Sequence, residues 1–352
     1  MPVKADAYGH GALPIAQAAL AAGVEYLAVA TAEEGKELRD GGIGCPIMLL
    51  SIVLPEEIDS LIAAALEPMA ADIEYINLLE KCAAKAGEKL RVHLKIDTGM
   101  GRIGCTTGEA ATLAGAIAAS KHLLLAGTAT HLAVSDSLDR EDIAFTKKQL
   151  DSFAAAVDSI KKAGIDPGIV HAANTGAVAF HGDSWFDMVR PGILLYGYSP
   201  LDGRGEEAMA VKPLMELQSA ITFIKNVKKG LSISYGRTWT AGEDTVIGTI
   251  PLGYADGLSR QLSNNWQVAP GAKNQAAADP QDGETLRPLV GRICMDQCMV
   301  NLGPGSTVKR WDPVTIFGGL APHAGVMADV LNTIPYEITC TINKRVPRVY
   351  ID

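Results

Sequence analysis

Lysine, carboxylate, tyrosine and histidine crowd into eight residues near the start of the 352-residue chain: KADAYGHG at 4–11 holds Lys4, Asp6, Tyr8 and His10 around two glycines. Four further stretches have the same character. HLKIDTGMGRIG at 93–104 carries Lys95, Asp97 and Arg102, and His131 closes LLLAGTATH. HAANTGA at 171–177 offers Asn174 and Thr175, and Arg190 is followed by Pro191, Gly192 and Ile193. Taken singly, each has an ordinary use as a solvated lysine, a hydrogen-bonded histidine or a salt-bridge arginine. Lys95, on an otherwise apolar run, needs a partner if it is buried. Asn174-Thr175-Gly176 presents a hydroxyl and backbone N–H groups, and Gly192-Ile193 lets the main chain approach closely, which together suit a phosphate; Tyr8 adds a phenol. A lysine facing such a site suggests a phosphorylated aldehyde held as a Schiff base, that is, pyridoxal 5'-phosphate, with Arg190 facing its pyridine nitrogen.

These residues work together only if the chain brings them to one place. Eight short apolar runs are read as strands, at 2–5, 26–30, 46–51, 67–72, 91–97, 123–131, 169–174 and 186–192, with helical patterns between most of them, including 13–22 and 140–163. Eight strands alternating with helices over about 200 residues predict an α/β fold, a (β/α)8 TIM-type barrel, whose working residues sit where strands end. An open doubly wound sheet is the alternative, weakened by the lack of a G-x-G-x-x-G turn after an early strand. Beyond residue 200 the pattern changes to short β-branched runs between turns, with one helix near 326–333, so 1–200 is read as the barrel and 201–352 as a mostly β domain. Between 270 and 287 the composition reads as an exposed loop without a catalytic role.

Composition narrows the function. Thirty-one Lys and Arg stand against 40 Asp and Glu, a net charge of -9, with no basic block to track a phosphate backbone, so no nucleic-acid partner is expected. Six scattered cysteines without a paired framework fit a reduced, cytoplasmic setting. The uncharged run at 11–24 is rich in alanine, holds Pro14 and Gln17 and reads as an ordinary helix rather than a signal peptide. No stretch is long and apolar enough to span a bilayer, and no metal site is expected.

With these motifs in view, the sequence closely resembles the alanine racemase family of fold-type III pyridoxal phosphate enzymes. The match runs through KADAYGHG, HLKIDTGMGRIG, THLA, HAANTGA, DMVRPGILLYG, SYGRTWTA, IGTIPLGYADG, VGRICMDQ, Tyr336 in IPYEITC, and KRVPRVY. The resemblance implies that Lys4 forms the internal aldimine and is one catalytic base. Tyr254 is then the other, on the opposite face and contributed by the partner subunit of a homodimer. It further implies that His131 bonds that tyrosine, that Arg190 bonds the pyridine nitrogen, and that Tyr8, Thr175, Gly192, Ile193 and Tyr336 hold the phosphate. Arg102 and the backbone at Met295 receive the substrate carboxylate, and Lys95 matches a position that is N-carboxylated in many members, where its carbamate orients Arg102. Racemisation removes a proton from one face of Cα and returns one on the other, so two opposed bases are the minimum apparatus. The implied role is supply of D-alanine for peptidoglycan.

Members of that family carry a few dozen residues ahead of the lysine motif that this sequence lacks. A shortened first strand is therefore expected to leave neighbouring backbone groups unpaired. A broad-specificity amino-acid racemase, a fold-type III decarboxylase and a truncated inactive homologue are the competing readings. Tyr254 and Tyr336 crowd the pocket in favour of alanine over serine, a discrimination worth only about 1–3 kcal/mol per methylene.

Overall fold

A computed structural model describes residues 1–200, 209–271 and 286–351. The chain divides into two compact units, Met1–Leu195 with Ser199–Ala210, and Tyr196–Tyr198 with Val211–Asp352.

The first unit is the barrel. Its named strands are β1 (Leu27–Val29), β2 (Ile47–Leu49), β3 (Leu66–Ala70), β4 (Leu90–Lys95), β5 (Leu123–Ala129) and β6 (Ile169–His171), all parallel and in sequential order. The apolar runs of β1 and β2, buried throughout, are those of strands covered on both faces. Around them lie α1 (Lys4–Tyr8), α2 (Ala12–Ala21), α3 (Ala32–Asp40), α4 (Ile58–Ala63), α5 (Ile73–Ala86), α6 (Ala110–Ala119), α7 (Arg140–Lys162) and α8 (Thr175–Phe180). Local chemistry sets their ends. Thr31 and Glu34 form a capping box at α3, while Asp72, Asp139 and Asn174 cap α5, α7 and α8 through their side chains. Along α7, Thr146, Leu150, Phe153, Val157 and Ile160 recur every three or four residues and are all buried.

Six of the eight expected strands thus form the ladder, and the other two differ from expectation. The first is reduced to a single parallel bridge between Pro2 and Ala28. Even so, Val3 N–H donates to Ala28 O at 2.8 Å and Ala28 N–H to Met1 O at 2.9 Å, so the backbone of Ala28 is paired rather than orphaned. The eighth, at 186–192, forms no strand: Pro191 has no N–H to donate, and Phe186 sits at φ 46. Two backbone bonds still tie this segment to the neighbouring one, Asp187 N–H to Val170 O at 3.0 Å and Arg190 N–H to Ala173 O at 2.9 Å.

The second unit is antiparallel. It holds β7 (Leu217–Ala220), β8 (Phe223–Val227), β9 (Ser232–Ile233), β10 (Trp239–Thr240), β11 (Thr245–Ile250), β12 (Gln267–Pro270), β13 (Arg287–Pro288), β14 (Cys298–Gly303) and β15 (Pro313–Phe317). These form a three-stranded sheet β14-β11-β8, a four-stranded sheet β13-β12-β15-β7 and a β10-β9 ribbon. Two helices follow, α9 (Ala324–Leu331) near the expected position and α10 (Pro335–Thr341). Val227, Ile233, Ile247 and Val290 form one of its cores, and the Trp266 indole N–H donates to Ile316 O at 2.7 Å. Most of the loop expected between 270 and 287 lies outside the described residues. Among those described, no helix is long and apolar enough to cross a membrane.

Phe153 fixes the longest barrel helix and is fully buried. Phe153→Ala is expected to destabilise the barrel by about 3–5 kcal/mol, read as a lower denaturation midpoint with the denaturant slope unchanged.

Candidate active site

Lys4 leaves the Pro2–Ala28 bridge and enters α1, which is wound left-handed. Ala5, Asp6, Ala7 and Tyr8 have φ of 52, 55, 53 and 54°. Left-handed residues with a Cβ cost roughly 1–2 kcal/mol each, so the turn persists only because its surroundings hold it. Gly9 N–H bonds Ala5 O and Gly11 N–H bonds Asp6 O, both at 2.9 Å, and the Asp6 carboxylate accepts from Ala12 N–H at 2.8 Å. His10 lies with Nδ1 3.0 Å from the carbonyls of Ala7 and Tyr8, which makes Nδ1 the donor. The clamp from outside is Glu34, whose carboxylate accepts from Ala5 N–H at 2.6 Å and from Ala30 N–H at 2.7 Å. The turn places Lys4, half-buried, at the end of the first strand position and buries Tyr8.

Tyr8 meets the loops that follow β6 and precede residue 193. Gly192 N–H donates to Thr175 Oγ1 at 2.8 Å, which joins the two loops. A Cβ on Gly192 would lie 2.8 Å from Tyr8 Oη and 3.5 Å from Thr175 Oγ1, so two hydroxyls converge where that residue has no side chain. Ile193 opens the next turn and is buried. Asn174 stands at the start of α8. Its side-chain oxygen accepts from Ser135 Oγ at 2.6 Å and Ala177 N–H at 3.2 Å, and its amide donates to Leu132 O at 3.2 Å, so it shapes the loop as the α8 cap.

Arg190 supplies the field. It is buried and bonds only neutral acceptors among the described residues, with Nη1 2.6 Å from His171 Nδ1 and Nη2 2.9 and 3.0 Å from Thr130 O and Ala172 O. Burial pulls its pKa down to about 10, so it remains charged near neutrality. Around it other bases hold their protons less tightly. Burial first, then Arg190, lowers Lys95 to about 8, although its Nζ donates to Ile96 O at 2.9 Å. Burial, followed by the charges of Arg190, Arg102, Lys95 and Lys4, takes His131 down to about 3, so it is neutral. Arg102 is exposed on the loop after β4, which Asp97 organises by accepting from Gly99 N–H at 2.9 Å and Gly101 N–H at 3.0 Å.

In the second unit, backbone bonds join the two segments that hold the expected site residues Tyr254 and Met295. Tyr254 N–H donates to Cys294 O at 3.1 Å and Ala255 N–H to Met295 O at 3.0 Å, and both Tyr254 and Met295 are exposed. The tyrosine turn is seated by Asp256, which accepts from Gly253 N–H at 2.8 Å and from Arg345 Nε at 2.6 Å; Arg345 also reaches Asp296 at 2.7 Å. Tyr336 is half-buried in the first turn of α10.

Sequence reasoning had not singled out Glu34, Glu67, His93, His171 or Arg345. Only Glu34 left a local signal, as the fourth residue of the Thr31 capping box. Among the described residues no cluster of metal-ligating side chains occurs.

Residues 1–200 match the family described as alanine racemase, N-terminal domain, and residues 214–350 match alanine racemase, C-terminal domain. A curated alanine racemase of Treponema denticola is 49% identical over 358 residues, covering 100% of this chain and 91% of the relative. That of Treponema pallidum is 44% identical, covering 100% and 92%. Among solved structures, the alanine racemase of Clostridium difficile 630 superposes with a TM-score of 0.88 at 35% identity, covering 99% of this chain and 88% of that one. The enzyme from Streptomyces lavendulae does so at 0.88 and 34%, covering 100% and 90%.

Lys95 holds its proton less tightly when folded, at about 8, than in the unfolded chain, at 10.5. The unfolded chain therefore carries more protons between those values, and stability rises as pH climbs from about 8 to about 10.5. In buffer freed of carbon dioxide, denaturation of the protein is expected to show this gain relative to Lys95→Met; equal pH dependence of the two would contradict it.

Proposed function

The chain belongs to the alanine racemase family, and from that premise we propose that it interconverts L-alanine and D-alanine by a two-base mechanism, as a homodimer that binds pyridoxal 5'-phosphate. The observation that carries the reading is the convergence of the Tyr8 and Thr175 hydroxyls on Gly192, in the same barrel as Lys4 and the buried Arg190. That cradle fits a phosphate in donor type. Arg190 fits the pyridine nitrogen, because a guanidinium donates a hydrogen bond without surrendering its proton. Once bound, the cofactor supplies the electron sink that makes the substrate Cα–H acidic.

Lys4 is the residue that carries the cofactor and one of the two bases, on one face of the substrate. Its strained, clamped turn keeps the amine in a fixed position, as a base requires. Tyr254 of the partner subunit is the second base, on the other face, and its seat on Asp256 and Arg345 supports that assignment. His131 is neutral and so is able to accept a hydrogen bond from that phenol or donate one to it. Tyr8, Thr175, Gly192, Ile193 and Tyr336 hold the phosphate, with Asn174 shaping their loop, while Arg102 and the Met295 backbone receive the substrate carboxylate.

Lys95 is proposed to carry an N-carboxylate. Its neutral amine adds to carbon dioxide with release of one proton, and the product is an anion beside Arg190 and Arg102, the two cations that disfavour the ammonium form. The charge that these arginines repel is thereby replaced by one that they attract. Supply of D-alanine for peptidoglycan, in the cytoplasm, is the biological role that goes with this reading.

Chiral chromatography of L-alanine incubated with the cofactor-loaded protein is expected to show D-alanine, and Lys4→Ala to reduce its formation by at least about a thousandfold. A decarboxylated amine in place of D-alanine, or undiminished turnover by Lys4→Ala, would overturn the proposal.

A further inference from the structure

Behind Arg190 a line of polar side chains crosses the interior of the barrel. Arg190 Nη1 meets His171 Nδ1 at 2.6 Å, and His171 Nε2 meets His93 Nδ1 at 3.0 Å. His93 Nε2 then meets Glu67 Oε2 at 3.0 Å, and the Glu67 carboxylate also accepts from Tyr26 Oη and Arg91 Nε, each at 2.7 Å. Both imidazoles are fully buried, and Glu67 is nearly so. Only Arg91, at the far end, reaches solvent to a large extent, with 45% of its side chain exposed.

The two ends of this line dictate the protons between them. A guanidinium only donates and a carboxylate only accepts. His171 therefore accepts at Nδ1 and carries its proton on Nε2, which donates to His93 Nδ1. His93 in turn carries its proton on Nε2 and donates to Glu67. Any other arrangement sets two donors or two acceptors against each other, and a second proton on either ring faces a donor. The charges agree with this order. Burial favours a neutral carboxyl at Glu67, but the hydrogen bonds from His93, Tyr26 and Arg91 outweigh it and hold the group down to about 2. Burial keeps both histidines below their ordinary value.

The backbone is also built to seat the line. Arg91, His93 and Lys95 alternate along β4 and share one face, and His93 stands beside Gly127 of β5 at a shift in register. A Cβ on Gly127 would run into His93 Nδ1 and lie 2.6 Å from Ile169 O, so that position leaves the ring its space.

We propose that Glu67 is a positioning residue for Arg190: through His93 it holds His171 as a hydrogen-bond acceptor, and so fixes where the guanidinium is aimed. The role in turnover rests on the reading that Arg190 faces the cofactor ring, whereas the proton order itself does not. In that order Glu67 is the terminal acceptor. Without it the His93 Nε2–H is a buried donor with no acceptor, and moving its proton to Nδ1 relieves that only if His171 also shifts its proton to Nδ1, against the Arg190 donor. The geometry at Arg190 is then no longer unique.

The test reads ring protons directly, by long-range proton–nitrogen correlation spectra of nitrogen-15-labelled protein prepared without cofactor. His93 and His171 are expected to be neutral, with the proton on Nε2, from about pH 5 to about pH 9, a range in which an ordinary histidine titrates. Glu67→Leu and Gly127→Ala should each disturb the tautomer of His93 or His171, whereas Glu67→Gln, whose amide oxygen still accepts, should preserve both. In loaded enzyme the first two variants are expected to lower kcat about tenfold or more with little change in KM, and Glu67→Gln much less. A wild-type His171 protonated on Nδ1 overturns the proposal without any variant, as does a Glu67→Leu protein with unchanged tautomers and kcat. If the unaltered protein racemises nothing, the functional reading fails while the spectra still decide the proton order.

Discussion

A guanidinium surrounded by neutral acceptors keeps its field, because no carboxylate lies beside it to cancel that field and little water reaches it to screen it. Arg190 is in that position, bonded to an imidazole nitrogen and two backbone carbonyls. Its charge adds to burial in lowering Lys95 and His131, and it stands beside His171 on the interior line that ends at Glu67. The mouth of this barrel is thus a place where bases give up protons more readily and anions are welcome. Those are the conditions under which an amine acts as a base, a phosphate is held, and a lysine takes up carbon dioxide.

The fold contributes rigidity where this electrostatics needs it. Lys4 is followed by four left-handed residues tied down by Asp6, Glu34 and backbone bonds. The strain stored there is offset by contacts that reach α3, so the capping box of one helix also steadies the lysine turn. Tyr254 has an equivalent support in the second unit, where Asp256 and Arg345 hold its turn against the strand-end segment at Cys294 and Met295. Each of the two bases in the proposed mechanism therefore stands on a turn locked by a carboxylate.

Much of this was legible in the sequence because it is local. The rhythm of apolar runs marks six of the strands, Thr31 announces α3, and the clustered polar residues at strand ends mark the loops that converge near Gly192. What escaped is set by pairing over distance. The segment at 186–192 has the composition of a strand, but with Pro191 and the positive φ of Phe186 it makes two backbone–backbone bonds to its neighbour in place of a ladder. Glu67, His93 and His171 sit in three separate strands, and each taken singly has an ordinary structural use. Only the register of β3, β4 and β6 reveals that they form one line. Asn174 has a further use that its residue type alone does not show, since its side chain caps its own helix.

The account turns on the reach of the Arg190 charge, and the titration of Lys95 measures it. Carbon-13-labelled lysine spectra of the unaltered protein, in buffer free of carbon dioxide, are expected to place the Lys95 amine at about 8. With Arg190→Gln, folded by circular dichroism, it should move up toward the ordinary lysine range as one repelling charge is removed while burial remains. A Lys95 that titrates near 10.5 in the unaltered protein, or that does not move in the variant, would contradict the claim that this buried charge governs the site.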